Sequence, residues 1–88
     1  MPERKVQIIN KAGLHARPAA EIVKLAAKYA SDITVVREDL EVNGKSIMGV
    51  MMLAAECGAE LLVQADGPDA EQAVSAIADL VARKFGES

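Results

Sequence analysis

The sequence predicts an α+β protein in which helices cover one face of a β-sheet. Three observations lead there. Short alternating or β-branched stretches take turns with segments of helical periodicity, turn residues separate them, and 51% of the 88 residues are apolar, enough for one modest core. Residues 1–88 are therefore expected to form one domain.

Each element has its own local reason. Lys5 to Ile9 alternates, with Val6 and Ile8 on one side, and reads as a half-buried strand ended by Asn10 and Gly13. Pro18 suits a first helical turn, so a helix begins near Ala16 to Pro18. Ile22, Val23, Ala26 and Ala30 form its apolar stripe, Glu21, Lys24 and Lys28 lie outside, and Ser31 and Asp32 mark its exit. Ile33 to Arg37 and Leu40 to Asn43 read as two strands joined by a turn at Glu38 and Asp39, too short for anything but antiparallel pairing. Ser46 precedes a compact apolar helix over Ile47 to Ala54, which Gly58 closes. Glu60 to Ala65 is a fourth strand, with Leu61, Val63 and Ala65 facing one way before the Gly67-Pro68 turn. Asp69 with Gln72 three positions on is a capping-box pattern for a last helix, whose inner face is Ala70, Ala73, Val74, Ile77, Leu80 and Val81. The order is βαββαβα.

Composition excludes several functions. A net charge of −3 without a basic stripe argues against nucleic-acid binding. No apolar run approaches the roughly 18 residues a membrane helix needs, and Met1 to Lys5 lacks a signal-peptide core, so a soluble, cytoplasmic chain is expected. Cys57 stands alone, fits a reducing compartment, and is expected to be a small buried hydrophobe. A single histidine makes a poor metal site, and no cofactor loop is present. Asn43-Gly44-Lys45-Ser46 fails as a nucleotide loop, because the glycine such a loop needs falls at Asp39.

The chemistry concentrates at Gly13-Leu14-His15-Ala16-Arg17-Pro18, which puts a histidine at a helix start behind a glycine-containing turn. A neutral imidazole attacks phosphorus through a nitrogen lone pair, and free histidine, with a reference pKa of about 6.5, is largely neutral at pH 7. A helix N-terminus disfavours positive charge and offers unpaired amides, here those of Ala16 and Arg17, to a phosphoryl group. Arg17 alone reads as a solvated side chain, yet in the first turn it opposes the macrodipole at a cost of about 0.3 to 1 kcal/mol, which an anion nearby would explain. Its planar guanidinium can hold two phosphoryl oxygens at once.

A second candidate is Ser46. Its default role is a helix cap, and phosphorylation there would add charge where the macrodipole favours it, leaving the fold intact while repelling acidic partners. Ile47, Met48 and Met51 are expected mostly in the core, with a modest exposed apolar patch at Ile47 and Met48, where methionine suits docking of unrelated partners.

Gly13-Leu14-His15-Ala16-Arg17-Pro18-Ala19 resembles the phosphohistidine signature of the HPr family of phosphocarriers, and Lys45-Ser46-Ile47-Met48-Gly49-Val50-Met51 resembles that family's regulatory-serine segment. Length and element order agree from end to end. The resemblance implies an open-faced sandwich: a four-stranded antiparallel sheet with three helices on one side. It implies a phosphoryl group carried on Nδ1 of His15 with Arg17 stabilising it, taken from enzyme I and passed to EIIA-type domains of sugar uptake. It also implies a serine kinase/phosphorylase acting on Ser46 and a docking face at Ile47, Met48 and Met51. The chain would be a monomeric covalent intermediate without cofactor, not a turnover enzyme. One departure is Ala12, where family members often carry a polar side chain, so an auxiliary hydrogen bond to the loop or the phosphoryl oxygens is in question. Two rivals share the His15 motif: a phosphocarrier of the nitrogen-related regulatory branch, and a pure interaction module that exchanges no phosphate.

Overall fold

The computed structural model describes residues 1–87. Alternation and helical periodicity resolve into β1 (Glu3–Gln7), α1 (Ala16–Ala26), β2 (Asp32–Arg37), β3 (Leu40–Asn43), α2 (Ile47–Met52), β4 (Glu60–Asp66) and α3 (Ala70–Ala82), then a 3-10 turn at Lys84–Gly86. The strands form one sheet in the order β1-β4-β2-β3. Every pairing is antiparallel: Val6 faces Leu61, Val35 faces Val63, and Val35 faces Val42 on its other side.

These registers put Val6, Val35, Val42, Leu61 and Val63 on one buried face, with Ile33 and Ala65. The period-2 pattern therefore meets the helical stripes of α1 (Pro18, Ala19, Ile22, Ala26) and α3 on one side only. Helix α3 lies over β1, β4 and β2, α1 packs against α3 and α2, and α2 lies against β3. The result is the open-faced sandwich with three helices on one side. No helix among the described residues is long and apolar enough to cross a membrane.

Five local expectations change. The first strand ends at Gln7, although Ile8 stays buried and continues the pairing through its amide to Ala59 O (2.9 Å) and its carbonyl from Gly58 N (2.7 Å). Helix α1 ends at Ala26, one turn short of the predicted exit, and Ala30 is exposed. The cause is tertiary: Lys45 Nζ donates to Tyr29 O (2.8 Å), while the Asp69 carboxylate accepts from the amides of Ala30 (2.9 Å) and Ser31 (3.0 Å) and from the Ser31 hydroxyl (2.6 Å). Asp69 is thus not the capping-box residue of α3. It stands at the N-cap position with φ −117° and ψ 28° and makes no side-chain bond to its own helix.

The Met-Ile stripe of α2 is not core. Val50, with Leu53 just beyond the helix, supplies the burial, which turns Ile47, Met48, Met51 and Met52 outward. Cys57 is exposed as well, because the turn that carries it faces inward only through Ala55 and Ala59.

The chain's last described residues turn sharply. Lys84 (φ 57°), Phe85 (φ 56°) and Gly86 (φ 77°) are consecutive left-handed residues, two of them with side chains that disfavour this region by about 1–3 kcal/mol each. Burial of the Phe85 ring in the core offsets part of that cost and directs Glu87 back across the molecule.

Candidate functional site

The turn before His15 is closed by Asn10, which is fully buried. Its Nδ2 donates to Gly13 O (2.8 Å), and Gly13 N donates back to Asn10 O (3.1 Å). Gly13 has φ +72°, and a Cβ there would lie 2.8 Å from Ala55 O, so only glycine lets the turn sit this close to the 53–56 loop. The buried Leu14 then anchors the turn, donating its amide to Ala55 O at 2.8 Å.

That supporting loop is held from β2. The Arg37 guanidinium donates to Leu53 O (3.0 Å) and Ala54 O (2.8 Å) and pairs with Glu56. The Glu56 carboxyl is drawn below its ordinary range, first by its own backbone amide and then by the Arg37 charge.

His15 occupies the N-cap of α1 in extended conformation (φ −81°, ψ −171°), and its carbonyl accepts the first helical bond from Ala19 N (3.0 Å). Its side chain does not cap the helix. The amides of Ala16 and Arg17 therefore have no acceptor among the described residues, and Pro18 has no N–H to satisfy. The imidazole is 43% exposed, with Nε2 3.1 Å from Glu87 Oε2 and 3.3 Å from Glu87 Oε1. Nδ1 has no partner among the described residues. Arg17 is exposed, and no ion pair or side-chain hydrogen bond engages it among those residues.

Ser46 is the N-cap of α2, and its Oγ accepts from Gly49 N at 3.1 Å. Beyond this cap Ile47, Met48, Met51 and Met52 form an exposed apolar surface, with Met48 73% and Met52 63% exposed. The patch is larger than the stripe suggests and includes Met52. Helix α2 packs on α1, and the loop after it braces the His15 turn through Ala55. The patch and the histidine are thereby mechanically joined.

Sequence reasoning missed two members of the site. Glu87 reaches His15 from 72 positions away, and nothing local to it signals a role. Asn10 reads in sequence as a strand breaker, but in the fold its Nδ2 also donates to Glu87 Oε1 at 3.0 Å. Ala12 is exposed and adds no polar group, so Asn10 organises the loop. Three surface grooves, about 310 Å³ between β1 and α3, about 350 Å³ beside β2 and β3 and about 330 Å³ between α1 and α3, are not lined by His15, whose imidazole is exposed.

Known proteins share the fold and much of the sequence. Residues 2–83 match the family model described as the PTS HPr component phosphorylation site. A phosphocarrier protein HPr of Treponema pallidum is 51% identical over 87 residues, covering 99% of each chain. The crystal structure of HPr-C-His from Thermoanaerobacter tengcongensis superposes with a TM-score of 0.96 at 46% identity, covering 100% of this chain and 99% of that one. An HPr dimer from the same organism gives a TM-score of 0.79 at 47% identity, covering 99% of this chain and 100% of that one. With its sheet order, its helix-start histidine and these full-length matches, the chain belongs to the HPr family of phosphocarrier proteins of the phosphotransferase system.

Proposed function

We propose that His15 accepts a phosphoryl group on Nδ1 from phospho-enzyme I and delivers it to EIIA-type domains in sugar uptake. The observation that carries this reading is an exposed imidazole at an uncapped helix start, with Nδ1 unpartnered and the amides of Ala16 and Arg17 without acceptors among the described residues. The Nδ1 lone pair forms the bond to phosphorus as the donor's bond to it breaks. Phosphoryl oxygens then meet the two amides and the positive end of α1, and Arg17 can swing in to take two oxygens. The acceptor reverses the step. His15 is a carrier atom in this scheme, and no enclosed substrate pocket is required.

The exposed surface at Ile47, Met48, Met51 and Met52 supports docking of both partners, because adaptable thioethers fit unlike surfaces. Phosphorylation of Ser46 by a serine kinase/phosphorylase would place charge beside that patch and oppose docking of acidic partners. The protein acts in this reading as a cytoplasmic monomer. The relatives' printed names do not favour the nitrogen-related branch.

Mass spectrometry tests the proposal. Incubation with enzyme I and phosphoenolpyruvate should add about 80 Da at His15 as an acid-labile group, and addition of a sugar-type EIIA domain should remove it. No adduct would leave only an interaction module.

A further inference from the structure

Resting on the reading of His15 as the carrier, we infer that Glu87 is a positioning residue of the transfer, held by buried Asn10, which sets the imidazole tautomer and balances its charge in the phosphorylated state. The contact is doubly made, since both Glu87 carboxylate oxygens lie within 3.3 Å of His15 Nε2 and Oε1 also accepts from Asn10 Nδ2 at 3.0 Å. The Glu87 side chain is only 16% exposed, so the carboxylate is seated in the site and not trailing in solvent.

An ionised carboxylate only accepts hydrogen bonds. A neutral imidazole facing Glu87 through Nε2 must therefore carry its hydrogen on Nε2, which leaves the lone pair on Nδ1, the nitrogen without a partner among the described residues. Asn10 is oriented by the same logic. Its amide group faces two acceptors, Gly13 O and Glu87 Oε1, while its buried Oδ1 has no partner among the described residues. Rotating that amide would set Oδ1 against a carbonyl and a carboxylate, so Asn10 is locked as a donor. The turn that presents His15 and the carboxylate that orients it thus share one buried side chain.

The transfer step balances without proton movement at the ring. The Nδ1 lone pair forms the N–P bond while the phosphorylated donor's bond to phosphorus breaks, its electron pair leaving with the donor. Nε2 keeps its hydrogen, so the ring becomes cationic against the Glu87 carboxylate. When an acceptor attacks phosphorus, the N–P electron pair returns to Nδ1 and the original tautomer is restored.

The test uses the full chain and its Glu87→Gln variant. A glutamine amide can donate as well as accept, so it no longer dictates the tautomer and supplies no charge. In 15N–1H correlation spectra of the neutral ring, the parent should show His15 as the Nε2–H form, and Glu87→Gln should shift both nitrogen signals toward an average of two tautomers. Phosphoryl acceptance from enzyme I should slow about threefold, the size expected of a partly exposed ion pair. Glu87→Ala should show both effects if Glu87→Gln is disturbed in fold. Unchanged nitrogen signals and an unchanged rate in phosphorylatable variants would overturn the role of Glu87 and leave His15 as the carrier. A parent protein that takes no phosphoryl group would instead defeat the proposed function.

Discussion

Helices α1 and α2 begin in opposite ways. At α2, Ser46 turns its hydroxyl inward and satisfies Gly49 N, so the helix start is closed by its own cap. At α1, His15 turns its ring outward and leaves the amides of Ala16 and Arg17 open. A closed start stabilises its helix. An open one relinquishes that local stability, about 1 kcal/mol for a typical cap, and leaves amides that suit an anion, as the proposed transfer requires. The α1 start can remain open because its preceding turn is secured elsewhere, by Asn10, Leu14 and the Arg37-braced loop.

The sharpest way to break this contrast is His15→Ala. Phosphoryl acceptance should vanish while thermal stability changes by no more than about 1 kcal/mol, because the ring is exposed and caps nothing. Global unfolding of this variant would show the α1 start to be structural.

Gly13→Ala attacks the external support. Its Cβ would meet Ala55 O at 2.8 Å in a left-handed conformation, so a stability loss of about 2–3 kcal/mol is expected in denaturant unfolding. Phosphoryl acceptance should fall with it as the His15 turn is displaced, and full activity would separate the turn from the site.

Ser46 sharpens the other side. Ser46→Ala should cost about 1 kcal/mol by removing the α2 cap. Ser46→Asp keeps an acceptor for Gly49 N and should hold stability within about 1 kcal/mol, yet weaken binding to enzyme I in titration calorimetry. Equal binding by Ser46→Asp and the parent would leave Ser46 as a cap alone.

The third helix start adds the smallest effect, and it depends on pH. The Asp69 carboxyl is held below its ordinary range, chiefly by the Ser31 hydroxyl and next by the Ala30 amide. A lowered folded value means that its stabilisation is present above the unfolded value of about 3.9 and is lost as pH falls through the folded one. Asp69→Asn should thus unfold at lower urea than the parent at pH 7, with the gap narrowing at pH 3. A gap independent of pH would remove the charge from the account.

Local pattern by itself determined the element order, the antiparallel β2–β3 hairpin, the inner face of α3 and the placing of His15 at a helix start, because periodicity, turn residues and Pro18 act within a few positions. Motif resemblance extended this to the open-faced sheet. Only the tertiary structure decided the rest. Asp69 looked like the cap of its own helix until α1 and α3 came together and the amides of Ala30 and Ser31 outbid the local partner. The Met-Ile run of α2 looked like core until Val50 and Leu53 took up the buried side of so short a helix. Glu87 bore no local sign at all. A hydrogen bond that spans 72 positions is written in no window of sequence, and it exists because burial of Phe85 in the assembled core carries the chain's last described turn back to His15.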